Sequence, residues 1–89
     1  MQVRASHILV ATEEQATLLQ AQLTEGADFA ALAQQHSLCV SANEGGDIGV
    51  FSAGQMFIPL ELAAFAIEVG QVSNPVQTAE GWHLVKRTA

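Results

Sequence analysis

The chain has 89 residues, with three basic side chains against nine acidic ones, a formal net charge of −6 and an apolar content of 49%. That length and composition fit one domain with one core and exclude disorder. The acidic balance argues against nucleic acid, anionic membrane surfaces and phosphate ligands as partners, and no apolar run approaches the length of a membrane span.

Val3 to Val10 alternates, with Val3, Ala5, His7 and Leu9 on one side and Arg4, Ser6, Ile8 and Val10 on the other. Both sides are largely apolar, which predicts a central strand with His7 inside it. Thr12-Glu13-Glu14-Gln15 is a capping box opening a helix through Ala16, Leu19 and Leu23, closed by Gly26. Asp28 caps a second helix whose Phe29, Leu32, Ala33 and His36 follow the helical period. Ser37 to Glu44 shows no period and is expected to be loop.

Residues 45–60 organise the chain. Gly45, Gly46, Gly49 and Gly54 predict a shaped loop rather than a helix or a long strand. The stretch begins polar at Asp47 and ends apolar at Met56, Phe57, Ile58 and Leu60, which fits the wall of an apolar pocket. Pro59 suits the first turn of a third helix over Leu60–Val69, apolar nearly all round and expected to be buried on more than one face. Val72–Thr78 reads as an edge strand interrupted by Pro75, and Ala79-Glu80-Gly81 as a tight turn into a last strand, Trp82–Arg87. The predicted order is β-α-α-β-α-β-β, an α+β domain with an antiparallel sheet covered by helices.

The residues available for chemistry are His7, Cys39, His83, Thr78 and Ser41, with Asp47 and His36 behind them. A cysteine–histidine nucleophile system and a non-covalent site of a few polar groups lining an apolar pocket both fit this set. A metal site is disfavoured, because no two of the histidines and the cysteine have ligand spacing such as CxxC or HxxxH. The lone Cys39 and an opening, Met1-Gln2-Val3-Arg4, that does not read as a signal peptide lead to the expectation of a reducing, cytoplasmic setting.

Six motifs in order resemble the parvulin family of peptidyl-prolyl isomerases. They are His7-Ile8-Leu9-Val10; Gly26-Ala27-Asp28-Phe29 with Leu32-Ala33 and His36-Ser37; Gly45-Gly46-Asp47-Ile48-Gly49 with Phe51; Gly54-Gln55-Met56; Phe65 with Gly70-Gln71-Val72-Ser73 and Pro75-Val76; and Thr78 with Gly81-Trp82-His83. The resemblance runs from about residue 4 to the end of the chain. It implies a four-stranded antiparallel sheet flanked by three to four helices, and cis–trans isomerisation of X–Pro bonds without a cofactor. The implied partners are proline-containing peptides and unfolded client proteins, met by a monomer.

The resemblance also assigns roles. His7 and His83 match the paired family histidines, Cys39 the position held by Cys or Asp, and Thr78 the hydroxyl residue near the pair. Ile48 and Met56 match proline-pocket residues, and Gln55 lies in the same motif with a binding role. The aromatic residue usual four positions after this methionine is replaced by Leu60. Leu60 is therefore expected as the pocket's far wall, with Phe57 as the substitute. Phosphate-directed relatives carry basic residues after the first strand, whereas this chain has Glu13 and Glu14 there. Unphosphorylated substrates are expected. A chaperone-like groove that binds extended peptides without catalysis is the alternative.

Overall fold

A computed structural model describes residues 2–55 and 58–89. Its elements are β1 (Gln2–Val10), α1 (Glu13–Thr24), α2 (Phe29–His36), a 3-10 turn (Val40–Glu44), β2 (Asp47–Ser52), α3 (Ile58–Ala66), β3 (Val76–Thr78) and β4 (Gly81–Arg87). The four strands form one antiparallel sheet in the order β2-β1-β4-β3.

β1 lies inside the sheet because both its faces are apolar, and each face meets a different layer. Ile8 and Val10 join Leu84, Ala16, Leu19, Phe29, Leu32 and Ala33 beneath α1 and α2. Val3 and Ala5 join Val85, Phe51, Leu60 and Ala64 beneath α3. Both helix starts follow the expected caps. The Thr12 side chain accepts from the Gln15 amide at 3.2 Å, and that of Asp28 from the Ala31 amide at 3.0 Å. A bidentate Arg4–Asp47 pair, 2.6 Å at its shorter contact, fastens β2 to β1.

The strand expected between the second and third helices is β2, a six-residue edge strand, because Asp47–Ser52 pairs with β1 and the register shifts beside Gly49 without breaking the pairing. Two expectations need correction. Residues 40–44 form a 3-10 turn rather than irregular loop. α3 stops at Ala66 and buries one face only, with Leu60 and Ala64 inside and Leu62 63% exposed. Its tail leaves the helix because the end of β4 claims it: Arg87 donates to the Ile67 carbonyl at 3.1 Å, and the Gly70 amide donates to the Arg87 carbonyl at 2.7 Å.

Candidate active site

β1 and β4 place two histidines on the α3 face of the sheet. His7 pairs in register with Val85 and Leu9 with His83, so the imidazoles are diagonal neighbours. Their Nδ1 atoms lie 3.0 Å apart, and the ring planes are inclined by only 15°. His83 is fully buried and His7 is 5% exposed.

Both outer nitrogens end on hydroxyls. His7 Nε2 lies 3.1 Å from Ser41 Oγ, and His83 Nε2 lies 2.7 Å from Thr78 Oγ1. The Glu80 amide donates to Thr78 Oγ1 at 3.2 Å, which orients that hydroxyl. The result is one row, Ser41–His7–His83–Thr78. Two neutral rings satisfy it in either direction: one Nδ1–H donates to the other Nδ1, one Nε2–H donates to the hydroxyl at its end, and the opposite hydroxyl donates inward.

The segment between α2 and β2 brings Ser41 to this row by taking over from β2 along β1. β1–β2 pairing ends at Ser6 and Asp47. Beyond it the His7 amide donates to the Gly46 carbonyl at 2.8 Å and the Leu9 amide to Ser37 Oγ at 3.0 Å, while the Leu38 amide donates to the Leu9 carbonyl at 2.8 Å. The His7 amide and both backbone groups of Leu9 are thereby satisfied by a segment that also carries Cys39 and Ser41. Gly46 makes the close approach, with φ at +86° and its α-carbon so near that an added Cβ would sit 2.3 Å from the His7 carbonyl oxygen.

Burial pushes both histidines below the ordinary imidazole range. His7 falls from 6.5 to about 4, chiefly by desolvation and then by the neighbouring His83, with the Glu80 carboxylate opposing the shift. His83 is lowered by desolvation. The pair is uncharged at neutral pH, and a proton on each ring would set two N–H groups against each other at Nδ1. Between pH 6.5 and about 4 the unfolded chain takes up protons that folded His7 refuses. Stability therefore falls as pH falls through that window, by up to roughly 3 kcal/mol from His7. Urea midpoints measured from pH 7.5 to 4 are expected to drop most steeply below pH 6.5. A His7→Gln variant is expected to flatten that part of the profile, and an unchanged profile would contradict the assignment.

The other expected site residues separate into three groups. Cys39 is half-buried at the start of the 3-10 turn, its amide 3.4 Å from Ser37 Oγ. Ile48 is half-buried on β2 and packs against the α3-side core. Gln55 is exposed, and its Oε1 accepts from the Ser52 amide at 2.6 Å, so it braces the turn after β2. Leu60, expected as an open pocket wall, is instead 2% exposed and packed with Val3, Ala5, Phe51, Ala64 and Val85. Its place on the inward face of α3 makes it core, because that face rests directly on the sheet. Met56 and Phe57 lie outside the described residues. Ser41 is the residue whose place in the row the sequence did not reveal. As one hydroxyl in a stretch without period, it gave no signal of a partner 34 positions away.

Among the described residues no group of three His, Cys, Asp or Glu side chains could hold a metal ion. No described helix is long and apolar enough to cross a membrane.

A four-stranded antiparallel sheet carrying a buried histidine pair bracketed by hydroxyls defines the parvulin class. The profile of the PPIC-type PPIase domain, or rotamase, matches residues 6–89, and the chain belongs to that family. It is 43% identical over 88 residues to foldase protein PrsA 2 of Bacillus cereus, a match covering 98% of this chain and 31% of that protein. It is 49% identical over 72 residues to the peptidyl-prolyl cis-trans isomerase Pin1 of Digitalis lanata, covering 81% of this chain and 61% of that one. The solution structure of NmPin, the parvuline of Nitrosopumilus maritimus, superposes with a TM-score of 0.89 at 37% identity, over 99% of this chain and 96% of that one. The crystal structure of PrsA from Bacillus anthracis gives 0.96 at 42% identity, over 99% and 41%. The chain spans only about a third of the length of the PrsA foldases it matches.

Proposed function

We propose that this domain isomerises X–Pro bonds in unphosphorylated peptides and folding proteins by a non-covalent route. The observation that carries the reading is the buried, uncharged row from Ser41 to Thr78, held in a domain of this family. A peptide bond resists rotation by about 18–20 kcal/mol through amide resonance. Twisting localises the nitrogen lone pair and weakens the charge-separated resonance form. An environment that withholds water therefore favours the twisted amide over the planar one. A ten-thousandfold acceleration needs about 5.4 kcal/mol of such differential binding, at about 1.36 kcal/mol per decade.

In this reading Ile48 and Met56 take the proline-gripping role that the family resemblance implies, and Cys39 polarises the substrate carbonyl. The histidine row holds the floor rigid and supplies neutral hydrogen-bonding groups without introducing a charge. The monomeric state and the reducing setting belong to the same proposal, supported by the net charge of −6 and the free Cys39.

A peptide-holding role is favoured by a separate observation. Leu38 and Val40, on either side of Cys39, are 67% and 89% exposed. Apolar side chains presented beside a site offer a surface to unfolded segments, and the PrsA relatives carry the name foldase.

The segment after β1 sets the substrate charge. α1 opens with Glu13 and Glu14, and Arg4 is already engaged by Asp47. A phosphoserine before proline carries about −1.5 to −2 charge and finds like charge in place of a bidentate partner. In matched peptides differing only at that residue, kcat/KM is expected to be higher for serine than for phosphoserine. Equal or faster turnover of the phosphopeptide would contradict the substrate assignment.

A further inference from the structure

A cleft of about 280 Å³ opens between the start of α3 and the β3–β4 turn, lined by Ile58, Pro59, Thr78, Ala79 and Glu80. It lies just below the roughly 300 Å³ at which small-molecule sites begin, which is room for a single side chain. Its walls are apolar: Ile58 is 69% exposed, Pro59 has no amide hydrogen to offer, and Ala79 contributes a methyl group. Thr78 belongs both to this cleft and to the histidine row, through its 2.7 Å contact with His83. The cleft therefore borders the histidine row at Thr78.

The one charge in the lining is Glu80, exposed at the tip of the turn. Among the described residues the only ion pair is Arg4–Asp47, so Glu80 has no internal counterion. Arg87 is directed to the Ile67 and Ala89 carbonyls. An apolar slot ending in an uncompensated carboxylate matches a side chain with a methylene stem and a cationic tip.

Resting on the isomerase reading above, we infer that this cleft is a specificity subsite for a lysine or arginine flanking the isomerised proline. The stem lies along Ile58, Pro59 and Ala79, and the charge meets Glu80. The acidic domain as a whole attracts cationic peptides too, so the test must isolate Glu80 from the net charge.

Two short peptide series serve, with lysine, norleucine or glutamate placed before or after the proline, assayed by exchange NMR and by titration of labelled protein. In one of the series lysine is expected to exceed norleucine in kcat/KM by about two- to fivefold at low salt, the scale of an exposed ion pair. The advantage should shrink as salt rises, and the lysine peptide should shift the Ala79 and Glu80 amide signals. In Glu80→Gln the lysine-to-norleucine ratio is expected to fall to about one. Lysine and norleucine equal in both series, or a lysine advantage that survives Glu80→Gln, would overturn the subsite. If no peptide exchanges faster with protein, the catalytic reading fails, and the same lysine-over-norleucine ordering in Kd still decides the subsite.

Discussion

Replacing Gly46 by alanine is expected to cost roughly 2–5 kcal/mol, the sum of left-handed backbone strain and an overpacked contact. For a domain of this size that is a fall in Tm of about 10–30 °C. The cause is local: the added Cβ would meet the His7 carbonyl at 2.3 Å and the Ala33 Cβ at 3.2 Å, at a φ of +86°. The His7 amide also donates to the Gly46 carbonyl, and the Gly46 amide to that of Ser41. Relief of the clash therefore pulls Ser41 from His7, so the folded fraction should lose activity too. Gly26→Ala is the control, since φ is +105° there but nothing lies within 4 Å of the added Cβ. It should cost only the strain, about 1–2 kcal/mol. Equal losses in the two variants would show that the seam against His7 yields freely.

Removal of one histidine carries the second large effect. His7→Ala leaves the Nδ1 of a fully buried His83 without its partner and empties the space of a ring. An unsatisfied buried group costs about 1–3 kcal/mol, and the vacated volume adds to it. The expected loss is roughly 2–4 kcal/mol of stability, with kcat/KM down by at least about tenfold because the row that floors the site is broken. His83→Ala should behave similarly. The double variant should lose less than the sum of the two, with a coupling of about 0.5–3 kcal/mol for groups in one network. Urea unfolding and peptide exchange on the four proteins measure both. Strict additivity would contradict a mutually satisfied pair.

Much of this fold is legible in the sequence. The caps at Thr12 and Asp28 and the two-faced apolar pattern of Val3–Val10 act through neighbours a few positions away, and local chemistry determines them. The alternation of Trp82–Arg87 likewise places His83 and Val85 on one face. The pairing of His7 with His83 spans 76 positions. Periodicity puts each on a strand face but does not say that those strands are neighbours; the family resemblance supplied that link. What escaped was settled by tertiary competition. The stretch Ile67–Val69 continues a helical pattern, yet the end of β4 claims its backbone. Leu60 looks like a pocket wall in one dimension and becomes core once α3 lies on the sheet. The cleft beside Thr78 joins residues some 20 positions apart and carries no sequence signature.

Catalysis by this domain, as proposed, consists in lowering the barrier to X–Pro rotation. Exchange NMR on a short Ala-Pro or Leu-Pro peptide, with and without a catalytic amount of protein at neutral pH, tests it most directly. Uncatalysed exchange takes roughly tens to hundreds of seconds. The expected result is exchange cross-peaks between cis and trans signals that grow with protein concentration, at an unchanged cis-to-trans ratio. An exchange rate that does not change when protein is added would contradict the isomerase account and leave a peptide-holding domain in its place.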